Sequence, residues 1–250
     1  MSPRKRPVGD GKFLLEYEEV SSTQNVARTL HKSGETAIIG IIAAYQLDGR
    51  GRSGSKWVAP RGTCLLVTYI LPLEDASIAP KIGMAAAVAA AESIEELSGL
   101  TTGLKWPNDV LLNGRKVAGV LAETVSSAES RMAALVGIGV NLNVESFPAE
   151  LEQTATSVRI EGRRSTPLEE FEAILRTKLF ERCAEISSRG FASIRERWLN
   201  RDQTFGRRYR GVTEGGSIEG TAVSLAESGA LVLTLEDGSS YETVSATSVP

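Results

Sequence analysis

The segment Lys105–Glu123, KWPNDVLLNGRKVAGVLAE, predicts a β-hairpin near the middle of the chain. Asn113-Gly114 separates two apolar stretches, and a two-residue type I′ turn needs positive φ at both central positions, which asparagine and glycine tolerate best. If these two residues form the loop, the register follows by counting outward from it. The predicted pairs are Leu112 with Arg115, Leu111 with Lys116, Val110 with Val117, and Asp109 with Ala118.

Asp109 and Lys116 share one face of this predicted hairpin because side chains alternate along a strand. As diagonal neighbours they would lie about 7–8 Å apart, close enough to flank one phosphate or carboxyl group with a metal ion or water between them. They could equally form a weak exposed ion pair worth about 0–1 kcal/mol. Gly119, on the same strand, would leave room for a ligand beside Lys116.

Strands and helices on both sides of this hairpin predict a mixed α/β body. Buried strands are indicated at 36–44 and 63–71, a long alanine-rich helix at 80–97, and three consecutive strands across 103–143. A helix with apolar residues at helical spacing follows at 167–189.

The composition changes after Arg201, where short alternating segments follow without a helix. Asp237-Gly238 is a second hairpin turn within these segments. We therefore expect a main domain of residues 1–202 and a small β-barrel of residues 203–250.

The overall composition excludes several classes of protein. The chain has 250 residues, 42% of them hydrophobic, and a formal net charge of −3, which argues against a disordered chain or a basic nucleic-acid coat. Its apolar runs are shorter than the ~18–20 residues that cross a bilayer. With Cys64 and Cys183 far apart and His31 the single histidine, a thiolate zinc site or a Ser-His-Asp triad is hard to build. Any chemistry must run on lysine, arginine, carboxylate, hydroxyl and backbone groups.

A loop rich in glycine and arginine occupies residues 46–62. Its GRGRSG stretch, Gly49–Gly54, matches the GxGxxG spacing, but a strand rather than a helix follows, and Ser55 stands where a P-loop has lysine. The glycines and the cations Arg50, Arg52 and Lys56 suit a phosphate. A solvated surface loop is the alternative, and Trp57 at its end is either a core residue or a platform for stacking.

Four motifs, together and in this order, resemble those of the biotin protein ligases. They are Ser22-Thr23 at the start of the first helix, YQLDGRGRSGSKW from Tyr45 to Trp57, KWPNDVLLNGRKVAGVLAE from Lys105 to Glu123, and VGIGVNLN from Val136 to Asn143. The resemblance covers essentially the whole chain. It implies an α+β fold like that of class II synthetases, with a mixed, mostly antiparallel sheet and helices on one side, followed by a C-terminal SH3-like β-barrel.

The resemblance also implies a two-step, AMP-forming reaction that needs ATP and Mg²⁺. Biotin and ATP would form biotinyl-5′-adenylate and pyrophosphate, and a lysine of the biotin carboxyl carrier protein would then accept the biotin. Two alternatives stay open at this point. One is a ligase or transferase of the same fold that acts on lipoate or octanoate, and the other is a biotin-binding or carrier-interaction module without catalysis.

Roles for individual residues follow from the same resemblance. Arg52 and Lys116 would be catalytic. Biotin would be bound by Ser22, Thr23, Gln24, Gln46, Arg50, Gly51, Arg52, Lys116 and Gly119. ATP would be bound by Arg50, Arg52, Trp57, Asn108, Asp109, Lys116 and Asn141, and Asp109 would hold Mg²⁺.

Two positions depart from the family's pattern. Ser55 stands where another arginine is usual, which would weaken the grip on pyrophosphate or the adenylate, and Gln24-Asn25 reverses the commoner order. Neither change predicts a loss of activity.

The chain ends and the basic segments carry further expectations. The first strand is predicted at Phe13–Val20. About a dozen residues precede it, too few for the DNA-binding domain that some family members carry, so we expect the monofunctional form without DNA binding. Arg4-Lys5-Arg6 is predicted to be a disordered tail. Arg195–Arg210 is either a solvated helix face or a patch for an acidic carrier domain. We expect a cytoplasmic protein without membrane contact. The resemblance also implies a homodimer as one of the oligomeric states that the family adopts.

Overall fold

Eight strands form the central sheet of the computed structural model, which describes residues 2–51, 54–127, 130–213 and 216–249. The strands are β1 (Arg4–Gly9), β2 (Lys12–Tyr17), β3 (Ile38–Ala43), β4 (Cys64–Leu73), β5 (Gly103–Lys105), β6 (Asp109–Leu112), β7 (Arg115–Ser126) and β8 (Met132–Asn141). Their order is β1-β2-β3-β4-β8-β7-β6-β5, with β2 and β3 parallel and the other neighbours antiparallel. The mixed, mostly antiparallel sheet expected from the resemblance is confirmed.

Helices pack on this sheet mainly from one side. They are α1 (Thr23–Lys32), α2 (Ala79–Ser98), α3 (Val158–Gly162), α4 (Leu168–Arg189) and α5 (Ala192–Leu199). α2, α4 and α5 share the largest hydrophobic cluster with one face of the sheet, and small alanine side chains let α2 approach closely. α1 packs on the opposite face, through Ala27 against Ile70 and Leu135. Among the described residues, no helix combines the length and apolar character needed to cross a membrane.

The C-terminal residues form a second, five-stranded antiparallel sheet. Its strands are β9 (Arg208–Thr213), β10 (Gly216–Leu225), β11 (Leu231–Thr234), β12 (Ser240–Thr243) and β13 (Ala246–Ser248), in the order β12-β11-β10-β9-β13. The predicted Asp237-Gly238 turn joins β11 to β12, with Gly238 at φ +82°. This sheet agrees with the expected SH3-like unit, while the boundary between residues 202 and 203 stays a prediction.

Trp106 joins the two sheets. Its indole Nε1 donates to the carbonyl of Gly229 at 3.1 Å, and its backbone N–H donates to Thr204 Oγ1 at 2.8 Å. Its ring meets Tyr209 edge to face, with 6.4 Å between centroids. Because Trp106 lies between β5 and β6, close in sequence to Asn108 and Asp109, its contacts place the second sheet beside these candidate site residues.

The hairpin register is confirmed at the turn and wrong beyond it. Leu111 pairs with Lys116 as predicted, but a bulge then shifts the register, so that Asp109 lies opposite Gly119 rather than Ala118. The bulge lets two consecutive residues, Val117 and Ala118, both face the main hydrophobic cluster. Burial of both apolar side chains stabilises the extra residue. As a result Lys116 and Gly119, which regular alternation would separate, face the same side.

The predicted disordered tail at Arg4-Lys5-Arg6 is wrong, because these residues belong to β1. Arg6 pairs with Glu16 of the neighbouring strand at 2.6 Å and with Glu172 of α4 at 2.6 Å. The Glu172 side chain is 1% exposed, so Arg6 supplies the charge that this buried carboxylate needs. Pairing in a hairpin and this ion pair order a segment whose composition alone favours disorder.

Candidate active site

A cavity of about 270 Å³ opens on the face of the central sheet where α1 packs. In β8, Val136, Ile138 and Val140 point into the core, so the alternate positions Gly137 and Gly139 face the cavity. The two glycines lack the side chains that would otherwise fill this space. The floor of this glycine-floored cavity consists of Leu66, Thr68, Gly119, Leu121, Gly137 and Gly139.

The start of α1 forms one wall of the glycine-floored cavity. Thr23 shares a hydrogen bond of 2.8 Å with Thr68, and its backbone N–H donates to Gln46 Oε1 at 2.7 Å. Ser22 occupies the N-cap position, but its hydroxyl does not cap the helix. The structure therefore brings together Ser22, Thr23, Gln24 and Gln46, four of the nine residues predicted to bind biotin.

Gln24 carries a buried acceptor without a partner among the described residues. The residue is 6% exposed, and its Nε2 donates to Glu123 at 3.2 Å and to the carbonyl of Leu121 at 3.3 Å. Its Oε1 accepts no hydrogen bond and lies beside Gly137, 3.1 Å from where a Cβ would stand. A buried acceptor left unpaired costs free energy, so a ligand that offers an N–H here would gain affinity.

Lys116 and Asp109 form an ion pair, with Nζ and Oδ1 2.5 Å apart. Of the two arrangements expected from the sequence, the structure shows the ion pair, which forms because Lys116 bends back over Gly119 toward the strand opposite. A Cβ on Gly119 would lie 2.9 Å from Lys116 Cε, so the room that Gly119 leaves is taken by this lysine. Both side chains stay partly exposed, at 37% and 28%.

Trp57 lies across the glycine floor. Its indole is so close to Gly139 that a Cβ there would be 2.6 Å from the ring, and Lys116 Nζ is 5.7 Å from the ring centroid. The indole Nε1 is buried without a hydrogen-bond partner among the described residues. Of the two interpretations from the sequence, the structure favours an aromatic wall of the site over a core residue.

A second cavity of about 400 Å³ adjoins the first and shares Gly51, Ser55, Trp57, Asp109 and Lys116 with it. We call it the basic cavity, because cations dominate the charged groups on its wall. These are Lys56, Lys105, Lys116 and Arg207, with Asp109 as the carboxylate among the described lining residues. Burial, together with the charges of Arg207 and Lys116, lowers the pKa of Lys105, although Asp109 opposes the shift.

The two asparagines predicted to contact ATP lie in different places. Asn108 lines the glycine-floored cavity, and its Nδ2 donates to the carbonyl of Val120. Asn141 lines the basic cavity instead, where its Nδ2 donates to the carbonyl of Thr156 at 3.1 Å. Each amide therefore helps to hold a neighbouring backbone segment at the site.

The described residues of the loop at 46–62, which we call the glycine-arginine loop, contribute Gly51 and Ser55 to the walls of both cavities. The Gly51 N–H donates to the carbonyl of Ser55 at 2.7 Å, and the Arg50 guanidinium donates to Asn25 Oδ1 at 2.5 Å. Ser55, which replaces the family's usual arginine, lines both cavities. Arg52, predicted to be catalytic, lies outside the described residues.

Several groups at the site were not predicted from the sequence. Residues 245–247, at the start of β13, line the glycine-floored cavity, and Lys105 and Arg207 line the basic cavity. The alternation of glycine with Val and Ile in VGIGVN could have indicated the floor. Nothing local in the sequence places the C-terminal sheet at the site.

The basic segment Arg195–Arg210 is mainly paired inside the protein rather than presented to a partner. Its internal contacts are Arg195 to the carbonyl of Leu225, Arg197 to Glu92, Arg201 to Glu95, and Arg208 and Arg210 to Glu219.

The two thiols, of Cys64 and Cys183, are unsuited to nucleophilic chemistry. Burial raises the pKa of Cys64 to about 11 and that of Cys183 to about 12.

Comparison with known proteins agrees with this geometry. Residues 17–143 match the model of the biotin/lipoate A/B protein ligase family. The bifunctional ligase/repressor BirA of Bacillus subtilis is 31% identical over 236 residues, covering 91% of this chain and 71% of BirA. The biotin–[acetyl-CoA-carboxylase] ligase of Paracoccus denitrificans is 36% identical over 198 residues, covering 77% and 82%. The biotin protein ligase of Aquifex aeolicus, solved in complex with biotin and ATP, superposes with a TM-score of 0.80 at 26% identity, covering 94% of this chain and 98% of that one. The chain belongs to the biotin/lipoate A/B protein ligase family.

Proposed function

We propose that this protein is a biotin–[acetyl-CoA-carboxylase] ligase. It activates biotin with ATP to biotinyl-5′-adenylate and transfers the biotin to a lysine of a biotin carboxyl carrier protein. The observation that carries the proposal is the position of Lys116, on the wall shared by a glycine-floored cavity and a basic cavity. A site of this shape can hold an organic acid on one side and a nucleotide on the other, with an ammonium group between them.

Biotin fits the glycine-floored cavity better than lipoate does. Its ureido ring presents two N–H donors, whereas the dithiolane ring of lipoate presents none. Gln24 Oε1 is a buried acceptor without a partner among the described residues, and Ser22 and Thr23 line the same cavity. A site with such polar groups discriminates strongly against an analogue that leaves them unpaired.

The first half-reaction joins the biotin carboxylate to the α-phosphate of ATP. A carboxylate oxygen attacks the α-phosphorus, the bond to the β-phosphate oxygen breaks, and pyrophosphate leaves. Two anions must approach each other, so the ammonium of Lys116 is placed where negative charge accumulates. Asp109, in contact with Lys116, holds that ammonium in position.

Mg²⁺ would assist this step by neutralising phosphate charge. Among the described residues there is no group of three or more His, Cys, Asp or Glu side chains able to form a complete metal site. Mg²⁺ is commonly held by one or two carboxylates together with the phosphates of a substrate, so Asp109 suits an ion that arrives with the nucleotide.

The second half-reaction transfers the biotinyl group. The amine of the carrier lysine attacks the carbonyl carbon of the adenylate, the bond to the AMP oxygen breaks, and the amine loses a proton. The glycine-arginine loop, which lines both cavities, is suited to shield the adenylate from water until the carrier arrives. The carrier domain, a homodimer and a cytoplasmic location stay predictions.

The proposal is tested by two assays on the purified protein. Biotin with MgATP should drive exchange of labelled pyrophosphate into ATP, and addition of a carrier domain should give its biotinylated form. Absence of exchange at saturating biotin contradicts the proposal. Biotin binding by calorimetry without any AMP-linked product would support the non-catalytic module, and exchange driven by lipoate or octanoate instead of biotin would support the related ligases.

A further inference from the structure

Arg207 reaches the basic cavity from the segment that joins the main sheet to the second sheet. Backbone hydrogen bonds hold this segment on both sides. Leu104 of β5 donates to Arg201 at 2.7 Å and accepts from Gln203 at 2.8 Å, while the Arg207 carbonyl accepts from Ala222 of β10 at 3.0 Å. The position of Arg207 at the cavity is therefore set by both sheets.

Arg207 differs from its basic neighbours in having no acidic partner among the residues that the structure describes. Arg201 pairs with Glu95 at 2.7 Å, and Arg208 pairs with Glu219 at 3.5 Å. In the part of the chain that the structure describes, no carboxylate oxygen lies within the 4.0 Å of an ion pair from the Arg207 guanidinium. An arginine held at a cavity wall without a counter-ion is suited to bind an anion from outside the protein.

The charges around Arg207 also favour the binding of an anion. Lys56 and Lys105 also lack a carboxylate within 4.0 Å among the described residues, and Asp109 already pairs with Lys116. Arg207 and Lys105 repel each other, which contributes to the lowered pKa of Lys105. Such a concentration of positive charge is unfavourable in the free protein and becomes favourable when a polyanion enters.

We infer that Arg207 binds the β- and γ-phosphates of ATP, the part that leaves as pyrophosphate. This inference rests on the proposed function, since it assigns the nucleotide to the basic cavity. When the bond between the α-phosphorus and the β-phosphate oxygen breaks, the electron pair and its negative charge go to the pyrophosphate. A guanidinium can meet two of its oxygens at once. The segment leading into the second sheet thus supplies a binding residue for the first half-reaction.

The test compares Arg207→Gln with Arg208→Gln in the biotin-dependent pyrophosphate exchange assay. The two variants remove the same charge from adjacent positions, but Arg208 pairs with Glu219 away from both cavities. Arg207→Gln should raise the KM for ATP and the inhibition constant of pyrophosphate about tenfold or more, as expected for a lost charged hydrogen bond. The KM for biotin and the inhibition by AMP should stay within twofold of the wild type. Arg208→Gln should match the wild type throughout.

Arg207→Lys separates binding from a structural role. It keeps the charge without the planar fork, so it should recover part of the affinity for pyrophosphate. The inference is overturned if Arg207→Gln leaves the KM for ATP unchanged, if AMP and pyrophosphate lose affinity equally, or if only the KM for the carrier domain rises. That last result would assign Arg207 to carrier docking. An inactive wild type would contradict the proposed function instead.

Discussion

A methyl group added at Gly139 would collide with the indole of Trp57 on the floor of the glycine-floored cavity. The ring atoms Cε2 and Cζ2 would lie 2.6 and 2.8 Å from the new carbon, whereas carbon atoms in contact prefer about 3.5–4.0 Å. One side must therefore move by about 1 Å. β8 is paired with β4 and with β7 along its length, so we expect the Trp57 side chain to move.

The size of the effect follows from where the strain goes. Overpacking by one carbon costs about 1–3 kcal/mol when the surroundings are rigid. Trp57 lies on a loop and is partly exposed, so the free energy of unfolding should fall by no more than about 1 kcal/mol. A cost of about 1–3 kcal/mol in the closed, ligand-bound site lowers the efficiency of adenylate formation about 5- to 150-fold.

Three measurements on Gly139→Ala check this reasoning. Pyrophosphate exchange gives the efficiency, urea denaturation gives the stability, and fluorescence reports the indole. Trp106 and Trp198 are only 4% and 0% exposed, so red-shifted emission that acrylamide quenches more readily would come from Trp57. Gly83→Ala is the matched control, because its Cβ would lie at an ordinary 3.5 Å from Ala122. It should keep full activity and gain up to about 1 kcal/mol of stability in the helix.

Two results would refute this prediction. Full activity of Gly139→Ala with an unchanged emission spectrum would show that the indole does not lie against the glycine. A loss of more than about 3 kcal/mol of stability would show that β8 yields instead of the Trp57 side chain.

Three further predictions concern the ion pairs and the thiols. Lys116→Ala should lower the rate of adenylate formation at least about 100-fold, measured by pyrophosphate exchange. The free energy of unfolding, measured by urea denaturation, should change by less than about 1 kcal/mol because the ion pair with Asp109 is partly exposed. Exchange at the wild-type rate would contradict the role of Lys116. Glu172→Leu should cost about 3 kcal/mol in urea denaturation, because it removes the buried carboxylate that Arg6 and Arg176 share and leaves Arg176 without an acidic partner among the described residues; a loss under 1 kcal/mol would contradict this. Burial raises the pKa of Cys64 to about 11 and that of Cys183 to about 12, so little thiolate exists at pH 8. Thiol reagents should therefore react slowly with the native protein, faster as the pH rises, and fastest once the protein unfolds. Rapid labelling of the native protein at pH 8 would contradict this.

Local sequence determined the turn of the hairpin and the face of β8 on which its glycines lie. Asn113 at φ +49° and Gly114 at φ +76° adopt the conformation that a two-residue turn requires, and this depends on those two residues alone. The alternating glycines of β8 face the cavity because side chains alternate along a strand. The polar residues at the start of α1 were expected at the site from the family resemblance, not from a local pattern. The motifs that carry the family resemblance could be recognised because each is a short, continuous stretch of sequence.

Tertiary structure alone decided how these parts meet. The bulge at Val117 depends on burying two consecutive apolar side chains, and it places Lys116 against Asp109. The basic N-terminal residues form a strand because they pair with β2 across the local Asp10-Gly11 turn, and because Arg6 forms an ion pair with Glu172, which is distant in sequence. Arg207 reaches the basic cavity because β5 and β10 both bond the segment that carries it. Apart from the Asp10-Gly11 turn, these outcomes depend on burial and charge contributed by residues far along the chain, and no local pattern in the sequence records such partners.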